Sequence, residues 1–141
     1  MRRGEISVNE PRFTAICLAA GRGSRMESDT QKQYLLLREK PMLYYSLKAF
    51  QESFVDSVVL VTGKGEEEYC RRRIVESYGF DKVKAIVAGG RERYHSVYHG
   101  LAAVGESEYV FIHDSARPFL TQEILLRTKE GVTEHGACVV G

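Results

Sequence analysis

The sequence predicts an α/β domain in which a mostly parallel sheet carries helices on both faces. Three observations lead there. Five short apolar runs recur: Phe13–Ala19, Val58–Val61, Val83–Val87, Tyr109–Ile112 and Ala137–Val140. Apart from Thr14 and Lys84, each is apolar at consecutive positions, the pattern of strands covered on both faces. The segments between them place apolar residues at helical spacing, and polar loops follow the first, third and fourth runs. Right-handed strand–helix–strand units bring loops of that kind to one edge of the sheet.

Taken in order, residues 1–12 form a polar leader, and residues 13–141 form the domain. After the first strand, Pro41 suits the first position of a helix, with Leu43, Leu47 and Phe50 on one face. In the next helix Glu66–Glu68 precede Arg71–Arg73, the order that the helix dipole favours. Glu67–Arg71 and Glu68–Arg72 fit i,i+4 pairing. Cys70, Ile74 and Ser77 or Tyr78 would face inward, and Gly79 would end the helix. Val97, Leu101 and Val104 form a third stripe, closed by Gly105. Thr121 is placed to cap a fourth helix bearing Ile124, Leu125, Thr128 and Val132, ended by Gly136. The last apolar run, residues 137–140, starts a strand that nothing follows, so the domain is expected to be incomplete at its C-terminal end.

The totals exclude several classes. The 141 residues fit one domain, and 43% of them are apolar, enough for a packed core. The formal net charge of +1 gives no bulk attraction to nucleic acid or to an anionic membrane. Three widely separated cysteines, Cys17, Cys70 and Cys138, suggest neither a disulfide framework nor a structural zinc site. His95 and His99 have i,i+4 spacing but no carboxylate between them in the arrangement a zinc protease needs. No apolar stretch approaches 20 residues and no secretory signal core is present, so a cytoplasmic location is expected.

The chemistry concentrates in the loops. Ala19-Ala20-Gly21-Arg22-Gly23-Ser24-Arg25-Met26 follows the first strand, with Lys32 shortly after. It lacks the third glycine of a dinucleotide fingerprint and the Gly-Lys-Ser/Thr of a Walker loop. Its glycines let backbone N–H groups approach phosphate oxygens, and Arg25 and Lys32 can neutralise charge on a polyphosphate in transfer. Gly89-Gly90 after the third strand permits backbone contact with a planar base, and Ser96 adds a hydroxyl one turn into the next helix. Asp114, at the end of the fourth strand, is placed to hold Mg2+ against phosphates.

As an ordered set, Leu18–Met26, Lys32-Gln33-Tyr34, Gly89–Arg93 with Ser96-Val97, and His113–Phe119 resemble the 2-C-methyl-D-erythritol 4-phosphate cytidylyltransferases of non-mevalonate isoprenoid synthesis. The resemblance covers about residues 13–141. It implies a Rossmann-like nucleotidyltransferase fold and transfer of CMP from CTP to the polyol phosphate, with Mg2+ present and pyrophosphate released. It assigns Arg25 and Lys32 to the transition state, by in-line attack at the α-phosphorus. Ala19, Ala20, Gly21 and Gly23 go to the triphosphate and nucleotide, Gly90 and Ser96 to cytosine and ribose, and Asp114 to the metal. Arg117 falls on the acceptor side. The sequence departs from the family pattern at Gln31, where proline is usual, at Arg91, where an acid is common, and at Ser115, where alanine is common. The family's dimer-forming arm, a later lysine and a second metal carboxylate would lie beyond Gly141, so a homodimer is expected only of a full-length parent. Two alternatives share these loops: a ribitol 5-phosphate cytidylyltransferase, and a CTP-binding fragment without catalysis. Ala19-Ala20-Gly21 and Ser115-Ala116-Arg117 favour the methylerythritol enzyme over the first.

Overall fold

The computed structural model describes residues 12–20, 36–37, 40–115 and 120–136. Its centre is strand β1, Phe13–Ala19, every residue of which is buried. A short antiparallel ribbon follows, β2 (Leu36–Leu37) with β3 (Lys40–Pro41). Then come α1 (Met42–Gln51), β4 (Ser57–Thr62), α2 (Glu67–Cys70) running into a π-helical Arg71–Glu76, β5 (Val83–Ala88), α3 (Arg93–Ala102), β6 (Tyr109–Asp114) and α4 (Gln122–His135).

The main sheet has the order β5-β4-β1-β6, and all its pairings are parallel. The chain moves outward from β1 through β4 to β5, then returns to place β6 on the other side of β1. With right-handed crossovers, that reversal must move the connecting helix to the opposite face. The core shows the same division. Leu43 and Leu47 from α1, Cys70 from α2 and Ile74 from the π-helical segment join the cluster under one face, together with Ala15, Cys17 and Ala19. Val97 of α3 packs on Ile16, Leu18, Val59 and Val61 of the other face.

The sequence expectations hold for most elements. Leu43, Leu47 and Phe50 are buried on α1, although Pro41 precedes the helix as its cap residue and pairs in the β-ribbon. Glu68 pairs with Arg72 (3.4 Å) and with Arg71 (3.6 Å), while Glu67 instead accepts the Gly65 backbone N–H. Gly79 has φ of 71° after the π-helical turn. Thr121 Oγ1 accepts the Ile124 N–H at 3.1 Å, and Gly136 closes α4 in the left-handed conformation with φ of 83°.

Several expectations fail, among them the inward place of Ser77 or Tyr78, both of which are exposed. Leu101 does not face the core: it is 44% exposed, and Gly100 faces the sheet instead. A Cβ on Gly100 would lie 2.8 Å from Ile16 Cγ2, so α3 lies too close to β1 for a side chain there. The helix also ends at Ala102, before Gly105. The outer strands are not covered on both faces as their apolar runs suggest: Ile112 on β6 is 45% exposed, and no residue of β5 is fully buried. The β-ribbon at residues 36–41 is too short to leave a periodic signal. The fifth apolar run, residues 137–140, lies outside the described residues. Among the described residues, no helix is long and apolar enough to cross a membrane.

Candidate nucleotide site

Open parallel sheets bind ligands beyond the carboxyl ends of their strands, at the point where strand order reverses. Here that point lies between β1 and β6. Leu18 pairs with Asp114 in register, and Ala20 and Ser115 extend beyond them. Ser115 locks the two strand ends together. Its backbone N–H and its buried hydroxyl both donate to the Leu18 carbonyl, at 2.9 and 2.7 Å. This double bond to one acceptor fixes the backbone beside Asp114.

The neighbouring wall comes from the β5–α3 connection. Gly89 continues the ladder by donating to the Thr62 carbonyl at 2.7 Å. A Cβ on Gly89 would lie 2.4 Å from Ser96 Oγ and 2.5 Å from Ala20 Cβ. Only hydrogen at that position lets the end of β1, the glycine pair and the first turn of α3 meet. Gly90 is equally confined, since its Cβ would lie 2.3 Å from that of His95. The Gly90 N–H donates to Ser96 Oγ at 3.1 Å. Ser96 is only 4% exposed. With one lone pair so occupied, its O–H remains a donor for a ligand acceptor. At the start of α3, His95 Nδ1 accepts the Glu92 backbone N–H at 3.2 Å, and the His95 N–H donates to the Glu92 backbone carbonyl at 3.0 Å.

These loops enclose a cleft of about 830 Å3, with Ala20, Gly90, Ser96 and Asp114 among its lining residues. Ala19 is placed differently. Its side chain is buried in the core cluster beneath the sheet, so only its backbone faces the ligand edge. Arg25, Lys32, Gly21, Gly23 and Arg117 lie outside the described residues. The cleft also contains Lys64 on the β4–α2 turn, which the motif reading passed over, and Arg93, which it included without giving it a role. The one signal for Lys64 was its place between two glycines directly after a strand.

The other side chains of these motifs have structural partners. His113 points to the opposite face from Asp114, where its Nε2 lies 3.1 Å from Ser46 Oγ and its ring meets Phe50 edge-on. His99 Nδ1 donates to the Ala88 carbonyl at 2.9 Å. Cys17 and Cys70 are free and buried, and burial pushes the Cys17 thiol well above its ordinary range, with the charges of Asp114 and Cys70 adding to the shift. No group of three metal-ligating side chains occurs among the described residues. Asp114 is thus a single carboxylate at a cleft. That donor set suits Mg2+, which takes few protein ligands and completes its shell with phosphate oxygens and water.

An open parallel sheet with helices and a glycine-walled cleft at its switch point defines an α/β nucleotidyltransferase-like fold. Comparison with known proteins gives the family. The profile of the 2-C-methyl-D-erythritol 4-phosphate cytidylyltransferases (IspD) matches residues 13–140, and the chain belongs to that family. It is 48% identical over 130 residues to the enzyme of that name from Lachnoclostridium phytofermentans, covering 92% of this chain and 56% of the relative. Against the Lachnospira eligens enzyme it is 50% identical over 127 residues, covering 89% and 56%. The crystal structure of 4-diphosphocytidyl-2C-methyl-D-erythritol synthase from Anaerococcus prevotii superposes with a TM-score of 0.71 at 29% identity, over 86% of this chain and 51% of that one. The chain spans about half the length of the curated relatives it matches.

Proposed function

We propose that this chain binds CTP with Mg2+ and forms the nucleotide half of a cytidylyltransferase that transfers CMP to 2-C-methyl-D-erythritol 4-phosphate and releases pyrophosphate. The observation that carries this reading is the wall built by Gly89, Gly90, Ser96 and Ala20. It offers a buried hydroxyl donor, held by the Gly90 N–H, in a cleft whose lining includes both glycines, and this suits a pyrimidine carbonyl.

Ser96 orients the base through its O–H, while Gly90 holds the serine oxygen in place. Ala20 fixes the near edge of the cleft, and Asp114 on the opposite side holds the metal. When bound, the ion would neutralise charge on the phosphates. Arg25 and Lys32 supply positive charge at the α-phosphate, and Arg117 serves the acceptor side. None of these groups forms a covalent bond, so the rate depends on positioning and charge stabilisation.

Calorimetry on this chain tests the nucleotide half. CTP binds in the presence of Mg2+ and more tightly than ATP. Ser96→Ala weakens binding with or without the metal. Asp114→Asn weakens it only when Mg2+ is present, and EDTA abolishes the difference. Equal affinity for ATP, or no heat with CTP, would overturn the assignment. Pyrophosphate release with methylerythritol phosphate, compared with ribitol 5-phosphate, tests the acceptor in a full-length relative carrying this segment.

A further inference from the structure

We infer that Lys64 and Arg91 form a cationic rim that draws the nucleotide's polyphosphate into the cleft and sets the rate of capture; this rests on the nucleotide reading above. Several other cations on the described surface are paired on their own helices. Lys48 pairs with Glu52, Arg71 and Arg72 with Glu68, and Arg127 with Glu123. Lys64 and Arg91 line the cleft from two different loops, both are exposed, and neither has an ion pair among the described residues.

The local carboxylates do not cancel them. Glu92 also lines the cleft, but it stands between Arg91 and Arg93, which line it too, so that stretch is net positive. Asp114 is the residue assigned to the metal. Two like charges on one rim repel each other, and a polyanionic ligand relieves that repulsion. The whole chain carries only +1, so the attraction must be local.

Exposure decides which step these side chains affect. In water, their contribution to the bound complex is small and screened, whereas charges at a rim act on encounter.

Stopped-flow fluorescence with methylanthraniloyl-CTP and Mg2+ tests the rim on this chain, using Lys64→Gln/Arg91→Gln and Arg91→Asp. At about 0.01 M salt, where the Debye length is about 30 Å, the double variant should associate roughly ten-fold more slowly. Dissociation should change less than about two-fold, as expected for rim charges. Near 1 M salt, with a Debye length of about 3 Å, the association rates should converge. Arg91→Asp should reduce the salt slope further than removal of the arginine charge alone. An unchanged association rate, a loss carried by dissociation, or a loss that persists at high salt would overturn the rim while leaving the nucleotide reading intact. Absence of binding by the unsubstituted chain would overturn both.

Discussion

Gly89→Ala probes the packing on which the site depends. The added methyl would sit 2.4 Å from Ser96 Oγ and 2.5 Å from Ala20 Cβ, and ordinary contact begins near 3.4 Å. Each neighbour must therefore retreat by about 1 Å. The serine hydroxyl can rotate, but it then gives up the Gly90 N–H, at a cost of about 1 kcal/mol. Ala20 has no torsion to relieve the contact, so the backbone at the end of β1 must shift, an overpacking strain of about 1–3 kcal/mol. Together these give a loss of about 2–4 kcal/mol, or roughly 10 °C in Tm for a domain of this size. The same shift displaces Ser96 and Ala20 from the cleft, so CTP affinity should fall more than ten-fold. Urea denaturation and calorimetry measure the two losses. Gly136→Ala is the control: its φ is 83° with no atom near the new Cβ, so it should cost about 1–2 kcal/mol of conformational strain without touching CTP affinity. Wild-type stability in Gly89→Ala, or a destabilised variant that still binds CTP normally, would refute the reasoning.

Two other outcomes follow from the buried groups. Ser115→Ala removes the hydroxyl donor but leaves the backbone bond to Leu18, so it should cost about 1 kcal/mol by urea titration and weaken Mg2+-dependent CTP binding only slightly. With Cys138 changed to serine, Cys17 and Cys70 should resist iodoacetamide in the folded chain and react on unfolding; rapid native labelling would show that the core opens. Because burial raises the Cys17 pKa, the unfolded thiol ionises first as pH rises. Its contribution is complete below about 8.5 and then declines by about 1.4 kcal/mol per pH unit, measurable as a falling urea midpoint.

The sequence alone determined the local features. Runs of consecutive apolar residues identified the four main strands, although only β1 and β4 are buried on both faces. Thr121 and Gly136 marked the ends of α4, because capping is chemistry within one turn. The loop motifs indicated a nucleotide, because glycines and strand-end acids at that edge have few other uses. Tertiary structure decided what depends on proximity between distant segments. Leu101 looked like a core residue by spacing, but α3 approaches β1 so closely that Gly100 takes the inward place. Ala19 and Ala20 are neighbours in one motif, yet strand alternation sends one side chain into the core and the other into the cleft. Lys64 showed only its place between two glycines; the parallel order β5-β4-β1-β6 is what brings its turn beside Gly90 and Asp114. Spacing along the chain cannot report such meetings, because they are set by which strands pair and how closely the helices approach them.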